Sequence, residues 1–254
     1  MFLVLGMGAG FLSGLLGIGG GALVVPGLLW IFTVMRVPDY DTMVMAAATS
    51  LMILVFTSLS TVYWHLRRQN VVGPVFVRMS IWILLGVLCG ASLASRMAPE
   101  ILRLLFALFL LAIWLKLLLK LRPRSVQQGV RPMRTRIVAV SIGLLSGLLG
   151  VGGGTLSVPY LLHCQLPMNK AVGTTALVTL WVAGIGAAVF GFADAAVPVS
   201  WTTGYIYWPA VLCVAPCSIV LTRLGAQCGQ ALNAENLRRI FALILLVLSI
   251  KMLW

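Results

Sequence analysis

Residues 10–29 read GFLSGLLGIGGGALVVPGLL, and residues 143–162 read GLLSGLLGVGGGTLSVPYLL. Offset by 133 positions, 15 of the 20 residues are identical. A stretch this long, apolar and glycine-rich, used twice, marks an internal duplication. The likeness runs outward from it. Ala48-Thr49-Ser50-Leu51 parallels Gly173-Thr174-Thr175-Ala176, and residues 102–108 parallel residues 237–243. Glu100 then stands opposite Glu235, and Lys116 opposite Lys251. The chain divides into a first repeat over 1–121, a basic linker over 122–136 and a second repeat over 137–254.

The 254 residues are 61% hydrophobic and 9% charged. A soluble domain carries about 25% charged residues, so 23 charges cannot cover a water-facing surface of this size. That excludes a soluble enzyme, a disordered tail and a nucleic-acid domain, and nucleic acid is not an expected partner. The net charge of +13 comes from short basic clusters between long apolar runs, the pattern of a multi-pass helical protein in a lipid bilayer. The N-terminus does not read as a cleaved signal peptide, because no basic residue precedes Arg36. The five cysteines, Cys89, Cys164, Cys213, Cys217 and Cys228, lie in or beside apolar runs without metal-ligand spacing. With two histidines and five acids in the chain, neither a metal nor a cofactor is expected.

Each repeat opens with the glycine element and continues into three long apolar segments. These lie at about 43–65, 75–96 and 101–121, and at about 171–192, 204–222 and 237–254. Each approaches the ~20 residues of a membrane-spanning helix. The stretches flanking the glycines are shorter, at roughly 15 residues or 22 Å, with the second ending near Pro26 or Pro159. Placing the linker in the cytoplasm puts 14 of the 18 basic residues inside. This requires the glycine elements to be re-entrant hairpins, shaped by Gly17 and Pro26 in one copy and Gly150 and Pro159 in the other. Three crossings per repeat then oppose the two repeats in the membrane. The expected fold is all-α and polytopic, with two inverted-topology repeats, each a glycine-rich re-entrant helical hairpin plus three transmembrane helices.

The glycines allow two readings. Gly6, Gly10 and Gly14, with Gly143 and Gly147, have the spacing that lets helices approach closely. Three consecutive glycines are harder to place in a helix, at about 1 kcal/mol each against alanine. Broken backbone within a bilayer persists only when protein covers it or it lines a cavity. A helix restarting after such a break presents N–H donors and a positive dipole end, which suit an anion. The candidate anion-binding residues are Gly19, Gly20, Gly21 and Ala22, and Gly152, Gly153, Gly154 and Thr155. Thr49, Ser50, Thr174 and Thr175 occupy equivalent positions, where either substrate hydroxyls or ordinary interhelical hydrogen bonds fit. Ser13 and Ser146 read as packing residues.

The paired motifs GLLGIGGGALVVP and GLLGVGGGTLSVP, with HLRRQNV at 65–71, resemble the sulfite exporter TauE/SafE family over essentially the whole chain. The resemblance implies a permease of the cytoplasmic (inner) membrane that moves small sulfur-containing anions such as sulfite or organosulfonates, usually outward. The second repeat has Gly191-Phe192-Ala193-Asp194 where the first has His-Leu-Arg-Arg, so any role of that segment is single.

His163, at the end of the second hairpin, is the better candidate proton relay. His65, beside Arg67 and Arg68, reads as interfacial. Trp30, Trp64, Trp201, Trp208 and Trp254 read as an aromatic belt, and Pro209 and Pro216 as interruptions of the 204–222 helix. The leading function is a secondary transporter of a small anion, compatible with a coupling proton and with a homo-oligomer. An anion channel and the membrane subunit of a larger complex are the alternatives. A membrane-embedded enzyme lacks any visible catalytic cluster. With opposed repeats, Tyr40→Cys should label from outside and Gln165→Cys from the cytoplasm. Labelling of both from one side excludes that arrangement.

Overall fold

The structure is a computed structural model and describes residues 1–16, 20–37, 39–119, 132–193, 200–231 and 234–253. Among these residues the chain forms ten helices. In the first repeat they are α1 (Phe2–Leu16), α2 (Gly21–Val34), α3 (Asp39–Arg67), α4 (Gly73–Ala94) and α5 (Pro99–Leu118). In the second they are α6 (Pro132–Leu149), α7 (Gly154–His163), α8 (Met168–Gly191), α9 (Trp208–Ala231) and α10 (Ala234–Leu253). The five-helix order is the same in both, as the duplication requires. Thr42–Arg67, Gly73–Ala94 and Met168–Gly191 are each long and apolar enough to cross a membrane.

Several boundaries differ from the sequence reading. Residues 202–207 are not helical. Thr202–Thr203 (β1) pairs with Ile206–Tyr207 (β2) in an antiparallel ribbon, so the fold is helical apart from this hairpin. The ribbon turns through Gly204 at φ +55 and is tied to the end of α8 by Tyr205 N–H donating to the Phe190 carbonyl at 3.1 Å. α9 therefore starts at Trp208, and Pro209 falls in its first turn, where no intrahelical N–H bond is lost. Pro216 alone lies inside that helix. Likewise α2 and α7 run past Pro26 and Pro159 to Val34 and His163. A single proline removes one i→i−4 bond, and neighbouring helices can cover the carbonyl it frees. Residues 132–136, expected in the linker, start α6. The rest of the expected linker, residues 122–131, and Gly17 and Gly19 lie outside the described residues.

Two helix pairs approach unusually closely. A methyl group on Gly10 would stand 2.5 Å from Ser218 Cα, and one on Gly14 would stand 2.1 Å from the Thr222 carbonyl oxygen. The hydroxyls close the same seam, with Ser218 Oγ donating to the Gly6 carbonyl and Thr222 Oγ1 to the Gly10 carbonyl, both at 3.1 Å. Successive turns of α1 thus meet successive turns of α9, and the two helices run in the same direction. α4 and α6 repeat the arrangement, with Gly86 against Val140 and Gly90 against Leu144. The first helix of each repeat is packed on the fourth helix of the other. Close packing of the upstream glycines is as the spacing suggests. Between these pairs α3 crosses α8 in the opposite direction, with Leu51 against Gly186 and Asn70 against Gly173.

The outward faces are apolar. Val77, Ile81, Leu85 and Leu88 form an exposed stripe on α4, and Ile101, Leu104, Leu108 and Leu115 form one on α5. A contiguous surface of this kind is a lipid contact in a membrane protein. Of the tryptophans expected in an aromatic belt, Trp30, Trp64 and Trp201 are exposed, Trp208 is half-buried and Trp254 lies outside the described residues. Gly86→Val should separate α4 from α6 and lower stability by about 1–3 kcal/mol. Gly184→Ala, which meets nothing within 4 Å, should be neutral or stabilising by up to ~1 kcal/mol. Thermal unfolding in detergent, followed by tryptophan fluorescence, checks both.

Candidate functional site

The start of α2 meets the chain just before α7. A methyl on Gly21 would lie 2.7 Å from the Val151 carbonyl oxygen. Gly150, Gly152 and Gly153 have φ of +73, +75 and +72, a left-handed backbone that only glycine adopts readily. α2 and α7 start immediately after the breaks. Leu23 and Val24 N–H both donate to the Gly20 carbonyl, as Leu156 and Ser157 N–H do to that of Gly153. Helix geometry leaves the preceding N–H groups, at Gly21 and Ala22 and at Gly154 and Thr155, without intrahelical acceptors. Neither Gly20 nor Gly153 supplies a side-chain cap.

A cavity of about 230 Å³ opens beside the breaks. Gly20 and Gly154 line it, with Ser13, Gly14 and Val158 from the hairpins. α3 contributes Leu54, Thr57, Ser58, Thr61 and His65, α8 contributes Val172, Thr175, Ala176 and Thr179, and α9 contributes Thr222. The wall combines the apolar side chains of Leu54, Val158, Val172 and Ala176 with hydroxyls, glycine backbone and one imidazole, and no carboxylate, lysine or arginine is among the described lining residues. Thr175 Oγ1 and His65 Nδ1 are buried without a hydrogen-bond partner. So are Thr155 Oγ1 and Ser157 Oγ in the first turn of α7. Positive helix ends and hydroxyls without fixed charge suit a small anion that has to bind and leave again.

The candidate residues from the sequence separate into groups. Gly20, Gly154 and Thr175 come together at the cavity. Gly152 packs against the side chains of Leu54 and Thr179, and Gly153 against Ile142 and Ser146. Ala22 is enclosed in the core. Thr49 and Thr174 are turned elsewhere, in equivalent ways. Thr49 Oγ1 accepts the Tyr207 N–H at 3.1 Å, and Thr174 Oγ1 accepts the Val72 N–H at 3.0 Å. Each holds the start of the other repeat's fourth helix. Ser50 Oγ donates to the Gly150 carbonyl at 3.0 Å, satisfying a group that the chain break exposes. His163 ends α7 and is not among the lining residues, whereas His65 is. Ser13 likewise lines the cavity.

Thr57, Ser58, Thr61 and His65 were not picked out as site residues from the sequence. Their signal was a polar stripe at helical spacing on an otherwise apolar helix. The second repeat lacks it. Thr49 and Thr174 are 125 positions apart, and the same offset takes Thr57, Ser58, Thr61 and His65 to Val182, Ala183, Gly186 and Phe190. Val182, Ala183 and Phe190 are fully buried and Gly186 is buried with them. One end of the α3–α8 crossing is thus open and polar while its counterpart is closed and apolar. Thr49→Val should cost about 1 kcal/mol of stability through the lost Tyr207 bond. Thr175→Val, which breaks no bond, should leave stability unchanged. Thermal unfolding of the two variants in detergent checks the division.

Comparison with known proteins agrees with this architecture. The family model described as Sulfite exporter TauE/SafE matches residues 2–252. A probable membrane transporter protein of Haemophilus influenzae is 31% identical over 254 residues, covering 98% of this chain and 96% of its own. The probable membrane transporter protein YunE of Bacillus subtilis is 23% identical over 273 residues, covering 100% and 97%. A probable membrane transporter protein of Methanocaldococcus jannaschii is 27% identical over 255 residues, covering 100% and 94%. No solved structure matches the chain. With a family match spanning both repeats, the chain belongs to the sulfite exporter TauE/SafE family and is a membrane transporter, not an enzyme.

Proposed function

We propose that this protein is a secondary transporter of the cytoplasmic membrane that exports small sulfur-containing anions such as sulfite or organosulfonates. The observation that carries the reading is the cavity beside the starts of α2 and α7, lined by both hydroxyls and apolar side chains, with Thr175 Oγ1 unpartnered. At about 230 Å³ it is several times the ~30 Å³ share of a water molecule, room for a small anion and part of its hydration.

Opposed repeats are supported by helix direction. α1 runs with α9, α4 runs with α6, and α3 runs against α8. This is the pattern produced when every helix in the chain reverses the one before. With five helices per repeat, an odd number, the second repeat then starts from the opposite direction. The cavity lies at the end of α3 that carries Arg67 and Arg68 and at the start of α8 beside Lys170. The positive-inside rule assigns that end to the cytoplasm, where an exported anion is loaded. Alternating access would close the Thr57–His65 side and open the Val182–Phe190 side. α1 with α9, and α4 with α6, would move as rigid pairs, because their backbones already touch.

Proteoliposomes containing the purified chain should show saturable sulfite and ethanesulfonate flux that is stimulated by counter-substrate. The absence of anion movement, with or without a proton gradient, would overturn the reading. A side chain at Gly20 first meets Ser13 at 3.6 Å, so Gly20→Leu should insert and fold normally while filling the cavity. Flux should fall roughly tenfold or more. Unchanged flux would remove Gly20 from the path.

A further inference from the structure

We infer that His65 is the coupling group of this site, and that the cavity takes up one proton on its imidazole together with each anion. The inference rests on the transport reading above and assigns that site its co-substrate.

The argument begins with placement. Leu54, Thr57, Thr61 and His65 follow one face of α3 and line the cavity. Eleven residues at 1.5 Å each carry that face about 16 Å, from the glycine breaks to the cytoplasmic mouth. His65 stands at the outer end of this ladder. Its Nδ1 is buried and bonded to nothing, which is an expensive state for a polar atom unless a ligand completes it.

Charge supplies the second step. His65 is the one imidazole among the described lining residues, and histidine is the side chain whose ordinary titration lies near neutral pH. An imidazolium enclosed there needs a counter-charge. On its own helix Arg67 rests on the Tyr63 ring at 4.5 Å, and Arg68 is the neighbouring charge that acts on His65. The start of α8 brings Lys170, and α1 and α9 bring the hydroxyls of Ser13 and Thr222. Arg223 follows on α9, with its side chain outside the described residues. α7 carries Tyr160, His163 and Cys164, none of which lines the cavity. Every described charge bordering His65 is positive, so the protein offers no partner to its imidazolium, and the transported anion does. Binding is then mutual. The anion stabilises the proton on His65, and the proton strengthens the hold on the anion.

The proton comes from water at the cytoplasmic mouth and is held as an imidazolium–anion pair. It returns to water on the far side when the pair separates. A monovalent anion then moves electroneutrally, down the combined gradient of anion and proton. Symmetry agrees with a single coupling group, since the second repeat has Phe190 and Gly191 at the corresponding turn and neither titrates.

Ethanesulfonate is the suitable probe, because its own charge is constant over the range where histidine titrates. In proteoliposomes with an internal pH dye, the wild-type protein should move one proton in the same direction as each ethanesulfonate. Its affinity should fall roughly tenfold between about pH 5.5 and about pH 8. His65→Gln should bind weakly, without pH dependence and without proton movement. His65→Arg, with a permanent charge, should recover binding at both pH values while still moving no proton. His65→Gln that retains the pH dependence and the proton movement, with flux intact, overturns the coupling role and leaves the transport reading standing. Wild-type protein that moves no ethanesulfonate or sulfite at any pH overturns the transport reading, and this inference with it.

Discussion

A backbone that leaves its helix inside a membrane must find hydrogen-bond partners from protein, because hydrocarbon offers none. The rest of the structure is arranged around that constraint. The second glycine motif separates α6 from α7, and the start of α2 is pressed against it, Gly21 on Val151. Ser50 satisfies the Gly150 carbonyl, and α3 and α8 cross over the junction. Thr49 and Thr174 secure the starts of α9 and α4 from across the repeat boundary. Among the described residues, the buried side-chain groups left without a partner are those of Thr175 and His65 at the cavity and of Thr155 and Ser157 in the first turn of α7.

The exchange of helices between repeats has a mechanical consequence. Carbonyls of α9 and α6 stand where side chains would have to be on α1 and α4, so these pairs cannot slide without separating. Relative motion is left to surfaces held by side chains, chiefly where α3 crosses α8. There the two repeats differ most. A near-symmetric scaffold carries a polar, open half and an apolar, closed half, so a site built once sits on a framework built twice.

Much of this was legible in the residues. The duplication showed as repeated letters, the helical membrane class showed in charge scarcity, and the glycine breaks showed in a run that no helix tolerates well. The small-residue spacing of Gly6, Gly10 and Gly14 implied a close neighbour without naming α9. Other features were hidden. Proline suggests an ending, yet Pro26 and Pro159 sit within helices whose surroundings absorb the lost bond. Thr49 and Thr175 look alike as letters. One is saturated by a backbone N–H 158 residues away, and the other is left with none. His163 is the better relay candidate in the sequence, whereas the histidine that lines the cavity is His65.

The sequence by itself determined the class, the duplication and where the backbone breaks, because composition, periodicity and glycine conformational cost are local properties of the chain. The tertiary structure alone decided which hydroxyls face a cavity, which helices are exchanged and which half is open. Those depend on distances between segments more than a hundred residues apart, and burial in a low-dielectric interior gives the same side chain opposite roles according to whether a partner is within reach.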